Sequence, residues 1–488
     1  MNKIKKLFAP IDLTNGCIWK VILYFSLPIL LSYLFQQVYT ISDAAICGKY
    51  LNVNQVAGVN NTGNITFIVL QFAFGCTAGF SVVTSSKLGQ KDLEGVKRSL
   101  AMQIKLSLYI SIILTIIACL CINPLLKLIG LSASSNPIQN EIYKSAYTYV
   151  LIIFIGTIAQ IFYNLICSFL RSVGDSLTPL IFLIMSTALN IGLDILFIAS
   201  FKLGVFGAAF ATVLAQGLSA IGCFVYTFIR YPNYRLSLKY FKPDFPFMGK
   251  HLSLGLPLAF QFSVLAIGLI VMQALIVKFD TSSTGAVISS CAQNGFGAAN
   301  KLNNFLMCPF SALGTAMLSF CAQNNGAGNG KRIKQGVTQA LIIALIEYVV
   351  FGGIGLLLTI NGFYMHIFYS IDKINDLTIF YGNRYLYCDL SLYFILGALF
   401  VLRNSLQGIG KTIYPFLAGI GELVARVVVC LVLPSLINGG PIDVNASKAS
   451  VFGLAFADPL AWAFAVIIML FGTVKYIYKP KNEEIQID

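Results

Sequence analysis

The chain has 488 residues, of which 57% are hydrophobic and only 11% are charged. Because ordinary soluble domains carry about 25% charged residues, this composition excludes a conventional soluble protein. The formal net charge of +14 would suggest a nucleic-acid partner for a soluble chain. Here the basic residues are placed as membrane topology requires, so we expect no nucleic-acid partner.

Apolar runs of the length of a membrane-spanning helix recur along the whole sequence. A helix needs about 20 predominantly apolar residues to cross a bilayer. Clear examples are residues 21–46, 107–123, 147–170, 180–201, 254–277 and 341–360. The pattern predicts an all-α polytopic membrane protein that crosses the lipid bilayer with twelve transmembrane helices.

Basic residues cluster in every second connection between these predicted helices. Such clusters mark cytoplasmic loops, which predicts that both chain termini are cytoplasmic. The clusters are Lys3, Lys5 and Lys6; Lys87, Lys91, Lys97 and Arg98; Arg171; Arg230, Arg235, Lys239, Lys242 and Lys250; Lys331, Arg332 and Lys334; Arg403 and Lys411; and Lys475, Lys479 and Lys481.

Two predicted helices of the first half carry a carboxylate inside an apolar run. Asp43 follows Tyr39 by one turn in the first helix, and Asp194 follows Asn190 by one turn in the fifth. Thr212 lies near the outer start of the sixth helix. An ionisable residue in a transmembrane segment costs about 2.5–3.5 kcal/mol on insertion scales, so it indicates function by default.

Asp43, Asp194 and Thr212 are predicted to lie at a similar depth. Together with Tyr39 and Asn190 they would surround one proton or one Na⁺. The alternative is a static hydrogen-bond network that joins helices. The set contains two carboxylates and no basic residue, and unneutralised buried anions are costly. The composition of the set therefore favours a cation or proton site.

The chain contains an internal repeat. "LRSVGDSLTPL" (170–180) returns as "LQGIGKTIYPF" (406–416), and "GVFGAAFATVLAQ" (204–216) returns as "SVFGLAFADPLAW" (450–462). "SLPILLSYLFQQ" near the start has a weaker echo in "GLPLAFQFSVLA". We predict two six-helix lobes, 1–240 and 241–488, with a cytoplasmic linker from about residue 230. A parallel repeat of this kind is typical of transporters with a pseudo-twofold axis and a central cleft.

The second half replaces the polar set with a different one. Arg426 stands opposite Asn190 in the repeat, and Asp458 stands opposite Thr212. Glu422 lies one turn before Arg426, so we predict a charge network in which Arg426 pairs with Asp458, Glu422 or both. Glu347 is also inside an apolar run and either faces the cleft or lies near an interface.

The sequence offers few residues suited to catalysis or metal binding. The chain has two distant histidines, His251 and His366, and twelve cysteines without metal-ligand spacing. A membrane enzyme would need a nucleophile–base set or a metal cluster. We therefore expect no catalytic residues, no cofactor and no bound metal apart from Na⁺ near Asp43 and Asp194.

In order and spacing, these motifs resemble the MATE (multidrug and toxic compound extrusion) family, in its bacterial branch. The similar segments are "SLPILLSYLFQQVYTISDAAICGKY", "FAFGCTAGFSVVTSSKLGQKD" and "FLRSVGDSLTPLIFLIMSTALNIGLDILFIASFKLGVFGAAFATVLAQ". The resemblance implies a monomeric exporter in the cell membrane. Its cargo would be amphipathic, often cationic, organic compounds, and its antiport would be driven by H⁺ or Na⁺.

On matching positions, the resemblance places a cation site at Asp43, Asn190, Asp194 and Thr212, with Tyr39 nearby. It assigns Asn164 to the same lobe, and the candidates for lining the cleft are Asn164, Gln36, Gln261 and Glu347. Some family members use a carboxylate on the seventh helix, where this chain offers only Gln261 and Gln273. The coupling ion, the substrate and a role for the second lobe in coupling stay open.

The alternative function is that of a lipid-linked precursor flippase of the same superfamily. Such a protein is expected to have extra helices or a strongly basic cavity. In the sequence, Arg426 is the only arginine that we predict to be buried in a helix core. This favours the exporter.

Overall fold

The computed structural model describes residues 9–369 and 374–480. The N-terminal basic cluster and Lys481 lie outside the described residues, as do both termini. The described part is helical and has no strand, only an isolated bridge between Thr281 and Val287. Nine of its helices are long and apolar enough to cross a membrane, or up to twelve if each of three bent pairs is one span. The prediction of an all-α polytopic protein is confirmed.

By their contacts, the residues divide into two compact units. Unit 1 ends at Ser263 and also contains Ala322–Asn329. Its helices are α1 Ile18–Tyr50, α2 Val53–Gly89, α3 Leu93–Leu120, α4 Pro137–Ile155 with Thr157–Ser172, α5 Leu177–Ser200, α6 Gly204–Arg230 and the first part of α7 Phe245–Lys278.

Unit 2 comprises Val264–Cys321 and the chain from Gly330 onward. Its helices are the rest of α7, α8 Cys291–Leu306 with Cys308–Gly326, α9 Gly330–Leu358, α10 Asp376–Ser391 with Tyr393–Gly408, α11 Ile413–Asn438 and α12 Ser450–Tyr478. The end of α8, from Ala322, belongs to unit 1. The units meet in sequence within α7, whereas the lobe boundary at residues 240 and 241 was predicted from the repeat and stays a prediction.

Local sequence explains where several of these helices begin. Asn52 forms a capping box with Gln55 at the start of α2, and the Asp92 side chain accepts a hydrogen bond from the Gly95 N–H at the start of α3. Asn136 caps α4, whose first residue is Pro137. Such caps satisfy backbone N–H groups that the first helical turn leaves without a partner.

Helix α3 shows that the chain is built for an apolar solvent. One face of α3 is polar and buried, and the opposite face is apolar and exposed. The buried residues are Ser99, Gln103, Ser107 and Ser111, and the exposed ones are Ile112, Ile113, Ile116, Ile117 and Leu120. An exposed apolar face of this extent would be unstable in water, so it is expected to contact lipid.

Small residues let α2 and α7 approach each other closely within unit 1. A Cβ atom on Gly75 would lie 2.5 Å from the Ala259 Cα, and one on Gly79 would lie 2.5 Å from the Gly255 Cα. Each helix therefore presents small residues four positions apart to the other. This is the arrangement by which membrane helices bring their backbones together.

We predict that Gly79→Val destabilises the protein, because the new side chain meets backbone atoms that cannot move aside. Overpacking of this kind costs about 1–3 kcal/mol. A lower Tm of the purified protein in detergent would show the effect. Gly63→Ala, at a position of α2 with no neighbour within 4 Å, is the control and should leave Tm unchanged. An equal Tm of the Gly79 variant and wild type would contradict the close packing of α2 against α7.

Candidate functional site

Helices α1, α5 and α6 bring the predicted polar residues of unit 1 together. The Asp43 carboxyl group interacts electrostatically with that of Asp194. The Tyr39 hydroxyl group is close enough to interact with both carboxyl groups and with Thr212. Asn190 lies one turn before Asp194 on α5, so the five predicted residues form one cluster.

Most polar atoms of this cluster have no protein hydrogen-bond partner. Asn190 and Asp194 are completely buried, and the unpartnered atoms include both polar atoms of the Asn190 amide and both carboxylate oxygens of Asp194. Tyr39 Oη, Asp43 Oδ1 and Thr212 Oγ1 are also buried, and none of them makes a hydrogen bond of normal geometry. Buried polar groups without partners cost free energy, so this cluster is not a satisfied structural network.

The donor set fits a hard monovalent cation or a proton. It offers carboxylate, amide, hydroxyl and phenol oxygens, the kind of ligand that hard cations take. Among the described residues, no group of three or more His, Cys, Asp or Glu side chains could hold a metal ion.

The backbone changes directly after Asp194. Helix α5 is α-helical to Asp194 and continues as a π-helical turn from Ile195 to Ser200. Such turns are rare, and they occur frequently at functional sites.

Two neighbours of the cluster were missed from the sequence. Cys47 and Tyr149 both interact electrostatically with Asp43 and Asp194. Cys47 follows Asp43 by one turn on α1, and that spacing could have identified it. Tyr149 comes from α4, and no local pattern in the sequence connects it with the site.

The predicted charge network of unit 2 is present as a set of ion pairs. The Arg426 Nε donates to the Asp458 Oδ1 at 2.6 Å, and the Arg426 Nη2 lies 3.3 Å from the Glu422 Oε1. All three side chains are buried. The geometry shows the pairing, and the role of the network stays a prediction.

The network is larger than predicted, because it contains a second buried arginine. Arg403 is 5% exposed, and its Nη2 donates to the Glu422 Oε2 at 2.6 Å. The expectation that Arg426 is the only buried arginine was therefore wrong, as was the placement of Arg403 among the loop cations. Glu422 bridges both guanidinium groups, which makes burial of Arg403 possible.

The network continues through α10 to α8. The Tyr385 Oη donates to the Asp458 Oδ2 at 2.9 Å. The Asn303 Nδ2 donates to the Tyr385 Oη at 3.3 Å and to the Asp389 Oδ2 at 3.0 Å. Asp389 is fully buried, and its Oδ1 has no partner. Sequence reasoning missed Tyr385, Asn303 and Asp389.

The four candidates for lining a cleft lie in different settings. Gln36 on α1 is exposed, Asn164 on α4 and Glu347 on α9 are half-buried, and Gln261 on α7 is buried. Glu347 has an unpartnered buried Oε2 and directly precedes a π-helical turn, Tyr348–Gly352.

The sequence model of the MatE family matches the chain twice, over residues 28–196 and 257–432. The chain belongs to the MatE family. This MatE protein is therefore a multi-pass membrane protein of a transporter family.

Individual relatives of the MatE chain cover most of its length. It is 24% identical to the probable multidrug resistance protein YoeA of Bacillus subtilis over 95% of each chain. It is 30% identical to the probable multidrug resistance protein YpnP of the same organism, over 66% of this chain and 68% of YpnP. A solved MOP superfamily transporter from Pyrococcus furiosus has the same fold, with a TM-score of 0.81 at 20% identity, covering 95% of this chain and 97% of that chain.

Proposed function

We propose that this MatE protein exports amphipathic, often cationic, organic compounds by antiport with H⁺ or Na⁺. One observation carries the proposal: the fully buried Asn190 and Asp194, beside Asp43, have no protein partners for their side-chain polar atoms. A proton or Na⁺ would satisfy these atoms. The names of YoeA and YpnP support a multidrug substrate range.

The coupling follows from charge. Without a cation, the cluster holds two carboxyl groups without a basic partner in the set, which is costly in a low-dielectric interior. A bound cation removes that cost, and it shifts the conformational equilibrium toward whichever state binds it more tightly. Export would follow if the substrate is bound more tightly by the other state. This requires a protein that alternates between two states around a central cleft.

Two pseudo-twofold lobes, 1–240 and 241–488, are part of this proposal. The internal sequence repeat supports them, and so does the double match of one family model. We further propose that the protein is a monomer in the cell membrane with both termini in the cytoplasm, as its basic clusters predict.

Export can be tested in cells that lack their own efflux pumps. Expression of this chain should lower the accumulation of a fluorescent organic cation, and collapsing the ion gradients should restore it. Accumulation that is unchanged by expression, with the protein present in the membrane, would contradict the proposal.

Thr212→Ala is expected to weaken the apparent affinity for the coupling ion about tenfold, because one oxygen ligand worth about 1.4 kcal/mol is lost. The maximal rate should change little. The ion dependence of transport measures the effect. Thr227→Ala on the same helix is the control, since the Thr227 hydroxyl donates to the Cys223 carbonyl of its own helix. Equal ion dependence of both variants would remove Thr212 from the site.

The flippase alternative stays open to test. Arg403 adds a second buried arginine, but both arginines are paired with acidic side chains, so they do not form an unpaired basic cavity. Lipid-linked precursor movement in vesicles without export of organic cations would favour the flippase.

A further inference from the structure

The two units carry different chemistry at repeat-equivalent positions of the ion cluster. Continuing the three repeat alignments along their helices pairs each cluster residue of unit 1 with one residue of unit 2. The pairs are Tyr39 with Gly268, Asp43 with Met272, Asn190 with Arg426, Asp194 with Cys430, and Thr212 with Asp458.

Helix α7 leaves space for the guanidinium group of Arg426. A Cβ atom on Gly268 would lie 2.8 Å from the Arg426 Nη1, so a side chain at this position, where the repeat has Tyr39 in unit 1, would collide with the guanidinium group. Met272 and Cys430, at the positions of the two unit 1 carboxylates, are completely buried. Unit 2 therefore has a thioether and a thiol at the two positions where unit 1 has acids.

The charge balance differs accordingly. The five positions of unit 1 hold two carboxylates and no base, whereas those of unit 2 hold one arginine and one aspartate, in contact at 2.6 Å. Asp389 belongs to the same hydrogen-bonded chain but lies outside these five positions. The five positions of unit 2 are neutral without any ion from solution.

We propose that Arg426 is a cation built into the chain, occupying in unit 2 the place at which unit 1 takes an exchangeable cation. This inference rests on the proposed function of unit 1 for the comparison. It deepens that proposal, because coupling through the repeat-equivalent cluster is then asymmetric: unit 1 exchanges its cation and unit 2 keeps one.

Removing the Arg426 side chain, the tethered cation of unit 2, should create a site for a free cation. Arg426→Ala leaves a cavity of guanidinium size beside Asp458 and Glu422, whose carboxylates then lose their shared partner. Free guanidinium has the charge and the planar donors to replace the lost group, while urea has nearly the same shape without the charge.

The test is the thermal stability of the purified full-length protein in detergent. Low concentrations of guanidinium, far below denaturing ones, should raise the Tm of R426A, because a ligand that binds only the folded state stabilises it. Matched urea should not raise it. Wild type and the double variant R426A/D458N should not respond to guanidinium.

No guanidinium response in R426A, or an equal response in wild type, would overturn the proposal. If R426A cannot be purified, R426A/D458A decides: recovery of the double variant supports Arg426 as the counter-charge of Asp458, and loss of both overturns it. Repeating the guanidinium titration of R426A in the Asp194→Asn background separates the claim about Arg426 from the claim that the unit 1 cluster couples transport. A guanidinium response there supports the tethered cation, whether or not the unit 1 site couples transport.

Discussion

Asp194→Asn and Asp43→Asn variants are expected to fold and to lose cation-coupled efflux to the background level. Asparagine keeps the size of the side chain but has no charge for a proton or Na⁺ to neutralise, so the cluster can no longer bias the conformational equilibrium. Asp194 is fully buried with both oxygens unpartnered. Its replacement should therefore leave Tm equal to or above that of wild type.

Efflux from cells and Tm of the purified protein measure the two effects separately. Asp92→Asn is the matched control: Asp92 caps α3, and asparagine caps a helix as well as aspartate does. The control should transport normally. Normal coupled efflux in both site variants, or their failure through unfolding, would contradict a dedicated ion site in unit 1.

Glu422→Ala is expected to destabilise the protein by about 3–5 kcal/mol, the usual cost of removing one partner from a buried ion pair. The effect is large because Glu422 bridges the guanidinium groups of Arg403 and Arg426, with side chains that are 5–6% exposed. Both arginines would then lack this partner. A marked fall in Tm, together with lower expression, is the expected result.

Glu94→Ala provides the contrast. Glu94 pairs with Lys97 and Lys239, but its side chain is 61% exposed, and exposed pairs contribute little. The Tm of the Glu94→Ala variant should match that of wild type. Similar melting of the Glu422 and Glu94 variants would show that the buried network does not stabilise unit 2.

The unit 1 cluster could be predicted from the sequence because its signals are local and strong. Asp43 and Asp194 stand out in apolar runs, where charge is expensive. Tyr39 and Asn190 are each one helical turn away from them and share their faces. The internal repeat predicted the pairing of Arg426 with Asp458, because these two positions correspond to two members of the unit 1 cluster.

The rest of the unit 2 network could not be predicted, because its contacts join distant parts of the chain. Arg403 lies near the end of α10 and looks like a loop cation until Glu422, 19 residues later, is found beside it. Asp389 follows a stretch with many polar residues, so it does not stand out from an apolar run. Its contact with Asn303 spans 86 residues, and no spacing rule connects the two.

The most direct test of the account is transport in proteoliposomes, using a fluorescent organic cation with an imposed Na⁺ gradient and then an imposed pH gradient. We expect one of the two gradients to drive transport by wild type, and Asp194→Asn, reconstituted to the same density, to show no gradient-driven transport. Gradient-driven transport that persists in Asp194→Asn would contradict the account, because the buried cluster of unit 1 would then not be the coupling site.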